Sequence, residues 1–152
     1  MCLKIKSGSC PNRAKEDIIC YKVVRVEVCC TATLFKENFL APYQETPISK
    51  EVINGKKPFI AKDYKGEEIT EEVFEIRKPV LDTIAGCAIH TFATKNGAKT
   101  EATELRDLFL DKFCVYKCII PKGTLYYEGI YDHKKSFASH KIVFKERVLV
   151  LK

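Results

Sequence analysis

Residues 18–35 read IICYKVVRVEVCCTATLF, with neither glycine nor proline among them. Valine, isoleucine, threonine, cysteine and tyrosine dominate, the types that pack well on a pleated surface. A chain with this run must build a sheet around it. Eighteen residues exceed the usual strand, so two strands are expected, breaking near Arg25-Val26-Glu27, where no turn residue marks the break.

The remaining segments extend that expectation. Residues 36–50, with Pro42 and Pro47, read as loop. Asn54-Gly55 within EVINGKKPFI is a hairpin signal, since a type I′ turn needs positive φ at both central residues, and Pro58 marks an edge strand behind it. Thr70 caps a short helix over 71–77 that Pro79 ends, and GCAIHTF over 86–92 reads as a buried strand. The principal helix is predicted over 99–113, with Thr100 as its cap. Its apolar stripe is Ala98, Ala102, Leu105, Phe109 and Phe113, and Glu104, Arg106, Asp107 and Asp111 take the wet side. Strands follow over 114–120, 124–130 and 141–151. Pro121-Lys122-Gly123 turns between the first two, and a polar loop over 131–140 precedes the third. The expected fold is α+β: one domain spanning 1–152, mainly an antiparallel sheet of six to eight strands, with one principal helix.

Charge and cysteine usage narrow the functional classes. The net charge is +6 and rests on lysine, because only five of the 26 basic residues are arginine. Lysine is a hydrated point charge without the bidentate fork that reads base edges, so sequence-specific DNA binding is not expected. No apolar stretch reaches the roughly 20 residues of a membrane helix, so no membrane partner is expected. The first residues hold no apolar signal core, which gives the expectation of a cytoplasmic protein whose eight cysteines are thiols. Cys114 and Cys118 would share one strand face about 13 Å apart, too far for a single zinc. No metal ligand is assigned, although Cys2 and Cys10 lie outside clear strands.

The common catalytic and nucleotide-binding motifs G-x-G-x-x-G, G-x4-G-K-[ST], H-E-x-x-H and G-x-S-x-G are all missing. No catalytic residue and no cofactor are therefore assigned. What remains suits ligand binding. His90 ends a strand, where ionisation near neutrality is useful. Tyr21, Tyr126 and Tyr127 offer rings on which bases could stack. In HKKSFASHK, Lys134 and Lys135 supply charge, while Ser136, Ser139 and His140 supply directed donors for a phosphate.

The segments ICYKVV, AIHTF, KCIIPKGTLYYEG and SFASHKIVF resemble small phage and prophage proteins of gut Bacteroidales, a resemblance that brings no activity with it. It implies an accessory or anti-defence protein that acts by binding. The expectation is a non-enzymatic protein holding an anionic, nucleotide-like ligand. A fainter resemblance is to ADP-ribosyltransferase-type folds, which place an aromatic-basic dipeptide, a Ser/Thr motif and a glutamate on successive strands. Tyr21-Lys22, His90-Thr91 and Glu146 fall in that order, with Lys22 where arginine or histidine is usual. That likeness implies, as an alternative, an enzyme using NAD. A third reading is a module that binds and inhibits a host protein. The edge strand behind Pro58 leaves homo-oligomerisation by sheet extension open.

Overall fold

The computed structural model describes residues 10–30, 35–42, 46–63, 65–76, 88–109 and 111–151. Cys2, Cys87, Arg77, Pro79 and the first two residues of the expected strand over 86–92 lie outside them.

The β-rich run does not break near Arg25. It forms one strand, β2 (Ile18–Cys30), preceded by the two-residue β1 (Asn12–Arg13). The length is usable because β2 serves two neighbours on one side. Tyr21 pairs with Phe92, and residues 25 to 30 pair with the strand that follows. That strand is β3 (Phe35–Ala41), which pairs antiparallel with β4 (Thr46–Ile48), so much of the expected loop over 36–50 is strand. Pro47 is tolerated because β4 lies at an edge, paired among the described residues only with β3.

Asn54-Gly55 does not make a hairpin. Ser49 caps a four-residue helix, α1 (Lys50–Ile53), by accepting from the Val52 N–H at 3.3 Å. Gly55, at φ +79, ends it with its N–H on the Val52 carbonyl at 3.0 Å. Both a hairpin and a helix C-terminus favour a left-handed glycine, so the dipeptide alone did not separate them. The short β5 (Phe59–Ile60) follows Pro58 and is an edge strand as expected. Thr70 caps α2 (Glu71–Ile76) through the Val73 N–H at 3.2 Å.

β6 (Ile89–Phe92) leads into the principal helix, α3 (Lys95–Phe109). It starts four residues earlier than predicted because Thr94, not Thr100, caps it: Thr94 Oγ1 accepts from the Gly97 N–H at 3.0 Å. The Thr100 hydroxyl instead donates to the Asn96 carbonyl within the helix. The buried stripe is Ala98, Ala102 and Leu105, joined by Glu101. Phe113 belongs to the next strand, and Phe109, the last helical residue, is 58% exposed. Phe109→Ala should therefore cost less than about 0.5 kcal/mol in urea melts, as for a surface side chain. A loss above about 2 kcal/mol would place Phe109 in the core.

β7 (Lys112–Ile120), β8 (Leu125–Tyr131), β9 (Lys134–Ser139) and β10 (Lys141–Leu151) complete the chain. The expected polar loop over 131–140 is thus largely β9. Asp132 and His133, at φ 48 and 64, make a two-residue turn between Tyr131 and Lys134, which pair directly. Positive φ at both central residues is the type I′ requirement, met here without glycine. Gly123, at φ +86, turns β7 into β8 as expected.

These ten strands, rather than six to eight, form one mainly antiparallel sheet in the order β1-β8-β9-β6-β2-β7-β10-β5, with β3 on β2 and β4 on β3. β9 and β10 are one run of chain bent at His140, so the path β9-β6-β2-β7-β10 leaves and rejoins the same run. α3 packs on one face, where Ala98, Ala102 and Leu105 meet Val23, Phe92, Phe113 and Val115. The opposite face carries Cys20, Val24, Cys118, Ile120, Ile142 and Phe144 in the larger core. Lys22 shares the alternation of Cys20 and Val24, which places its side chain on that second face.

Candidate functional site

Strand alternation separates the residues singled out in HKKSFASHK. Lys134 and Ser136 take one face of β9, and Lys135 and Ser139 take the other. Lys134 Nζ lies 3.1 Å from Asp132 Oδ2, and Lys135 Nζ lies 2.8 Å from Glu128 Oε1. The Glu128 hydrogen bond and charge raise Lys135 above the ordinary lysine range. Ser136 Oγ donates to the Lys134 carbonyl at 3.0 Å, and the Ser139 hydroxyl is buried. The His140 ring is buried against Phe74, with Nε2 2.9 Å from the Ile69 carbonyl oxygen. These five side chains do not converge on one point, and both lysines already face an acid.

The tyrosines are dispersed as well. Tyr127 is buried against Phe74, with ring centroids 5.7 Å apart. Tyr126 is half-buried and meets Phe137 edge-on at 5.9 Å. Tyr21 is half-buried on β2 opposite Phe92 and Lys117. Glu146 pairs with Lys117 on β10, so Tyr21, Lys117 and Glu146 form a row on one face. Lys22 and Thr91 face the other way.

Lys22 and Thr91 come closest to a prepared site. The register Tyr21↔Phe92 sets Lys22 opposite Thr91 across β2 and β6, and directly opposed residues point to the same face. On the other side of β2, Lys22 is opposite Tyr116, and Cys20 is opposite Cys118. Lys22 is 7% exposed, and its ammonium donates to the His90 carbonyl oxygen at 3.0 Å. No ion pair of Lys22 occurs among the described residues. The Thr91 side chain is fully buried, and its hydroxyl has no hydrogen-bond partner among the described residues. Cys20 is near enough for that hydroxyl to favour its thiolate, yet the pair falls outside hydrogen-bond geometry, so Thr91 Oγ1 counts as unpaired.

Burial sets the electrostatics. It lowers Lys22 from 10.5 to about 8, against a smaller opposing pull from Cys118 and Cys20. It pushes the Cys20 thiol up to about 12 and the Cys118 thiol well above its usual value, so neither supplies a counter-charge near neutrality. Burial, with the Lys22 charge nearby, takes His90 down to about 3. The imidazole is then neutral, and neither ring nitrogen has a hydrogen-bond partner among the described residues. Alternation puts that ring on the opposite face from Thr91, so His90 contributes its carbonyl to the Lys22 group rather than its ring.

Chemically this is a dry, cationic position. Lys22 holds three donors and, among the described residues, uses one on His90. The Thr91 hydroxyl lies on the same sheet face as Lys22. An isolated buried cation is unfavourable, and an anion that accepts from both groups would satisfy them together. Of these residues the sequence reading named His90 and Tyr21 as ligand contacts, and placed Lys22 and Thr91 only in the ADP-ribosyltransferase pattern. A signal for Lys22 was present: in IICYKVV it occupies the same alternate positions as Cys20 and Val24, the core-facing row of a strand.

A second polar group lies beside α3. Glu101, Glu104 and Asp132 bring carboxylate oxygens within 4.8 Å of one another. The Tyr131 hydroxyl donates to Glu101 at 3.4 Å, and Lys134 offsets the charge of Asp132. No family model, curated protein or solved structure matches the chain.

Proposed function

We propose that this chain is a non-enzymatic binding protein that holds an anionic, nucleotide-like ligand through an acidic group at Lys22. The observation that carries the reading is the Lys22 ammonium, nine-tenths buried, with a single carbonyl acceptor and no acid paired to it among the described residues. A phosphate there accepts from Lys22 and from the unpaired Thr91 hydroxyl, each such charge-assisted bond contributing on the order of 1.5–3 kcal/mol. Tyr116, opposite Lys22 on β7, borders the same face. In the phage setting that the sequence resembles, such a protein would act by sequestering a nucleotide signal of the host.

A thermal-shift screen of mono-, di- and cyclic nucleotides and NAD tests the reading. A ligand bound at 100 times its Kd adds about 2.7 kcal/mol to folded-state stability, which moves Tm by several degrees. Lys22→Met should abolish the shift, and the double change Lys134→Ala/Lys135→Ala should retain it. If no compound moves Tm, the binding of a host protein becomes the stronger reading. A shift that survives Lys22→Met would place the ligand elsewhere. NAD consumed rather than merely bound would favour the enzyme alternative.

A further inference from the structure

We infer that the Lys22 site takes up its anion together with a proton, so that the ligand is held near neutrality and released as the solution becomes alkaline. This rests on the reading of Lys22 as an anion site.

The geometry supplies the reason. A lysine with a carboxylate beside it stays charged whether or not a ligand is present. Lys22 has none among the described residues. The groups that face it among the described residues come from three strands. On its own strand these are the Cys20 thiol and Val24. From β7 they are the Tyr116 phenol and the Cys118 thiol, and from β6 the Thr91 hydroxyl and the His90 carbonyl. Raised thiols stay protonated, and the lowered His90 stays neutral. Beside those thiols and the His90 ring, Lys22 is the group whose charge changes near pH 8.

An anion within hydrogen-bond reach favours the ammonium and raises its titration point. The sign then follows. Below about pH 7 the empty site is already charged, and binding moves no proton. Between the empty and the occupied titration points the amine is neutral when empty and charged when occupied, so binding takes up one proton. Affinity falls about tenfold for each pH unit in that window, which begins near pH 8. The Thr91 hydroxyl adds affinity without a proton.

The test is titration calorimetry with 3′,5′-cyclic adenosine monophosphate, whose phosphodiester does not titrate in this range, and with sulfate as a second probe. Each is measured at about pH 6 and about pH 9 in two buffers of different ionisation enthalpy. The expected result is no buffer dependence at the lower pH, and uptake approaching one proton per bound anion at the higher. Affinity should be at least fivefold weaker at the higher pH. Lys22→Arg, which cannot lose its charge, should bind with no proton uptake at either pH. Binding with heats independent of buffer at both pH values, and with unchanged affinity, overturns the proton coupling and leaves the anion site standing. If neither probe binds at about pH 6, where Lys22 is charged, the anion site falls and the coupling with it.

Discussion

Phe144→Ala should lower the unfolding free energy by about 3–5 kcal/mol, a loss expected for removing a fully buried aromatic side chain. Phe144 is 1% exposed. Its ring meets Tyr116 edge-on with centroids 5.5 Å apart, and Phe59 at 6.1 Å. It thereby ties β10 to β7, where it is opposite Cys118, and to the edge strand β5. Its backbone is held as closely as its ring. A Cβ at Gly55 would lie 2.6 Å from the Phe144 carbonyl oxygen, so the end of α1 is seated directly on β10. With both ring contacts gone and backbone crowding the site from outside, the cavity has little room to collapse. Urea melts with an unchanged m value should show the loss. A change below about 1 kcal/mol would mean that the contact between β10 and β5 does not form.

The contrast between Phe144 and Phe109 shows what periodicity alone conveys. Both were apolar residues in regular patterns. Strand alternation through KIVFKERVLV identified the long final strand, with Phe144 among its members. For Phe109 the spacing was correct for a helix stripe, but the stripe ends at Leu105, and only tertiary packing decides where a helix leaves the sheet. With Thr94 rather than Thr100 as the cap, the helix starts earlier and Phe113 falls to the following strand. The two turns were misplaced for a related reason. Asp132-His133 forms a type I′ turn without the Asn-Gly signature, and the real Asn-Gly closes a helix. Local chemistry defines which backbone angles are affordable and leaves the partner strand undetermined. For the site, residue types pointed toward exposed lysines and hydroxyls. Pairing with Glu128 and Asp132 was invisible because those acids come into contact only through the β8–β9 hairpin. Lys22 was legible in its alternation, yet its lack of a counter-ion among the described residues depends on β6 and β7, strands that lie far away in sequence.

Lys22→Met should raise stability near pH 7 by about 1–3 kcal/mol, the unusual case of a core substitution that helps. The upper figure follows from the fall of Lys22 from 10.5 to about 8 on folding, at about 1.36 kcal/mol per unit. The lower figure allows about 1 kcal/mol for the donor that the His90 carbonyl loses, and for imperfect packing of the thioether. Because folding lowers this pKa, the unfolded chain binds more protons than the native one between about pH 8 and 10.5. Stability of the unmodified protein therefore rises with pH across that window, relative to the variant. Below the window the full penalty is present, and the variant's advantage is largest. Above it the lysine is neutral in both states and the advantage disappears. Paired urea melts at about pH 7 and about pH 10.5 isolate this difference from every other titrating group, since those are common to both proteins. A buried lysine already matched by an acid behaves oppositely: its removal leaves an uncompensated carboxylate and costs several kcal/mol. A variant destabilised near neutrality would thus reveal a hidden partner for Lys22 and leave no vacancy for an anion. A variant stabilised near neutrality that has also lost its response to nucleotides would tie the unmatched charge to ligand binding, because the same ammonium would then be a burden in the empty protein and an anchor in the occupied one.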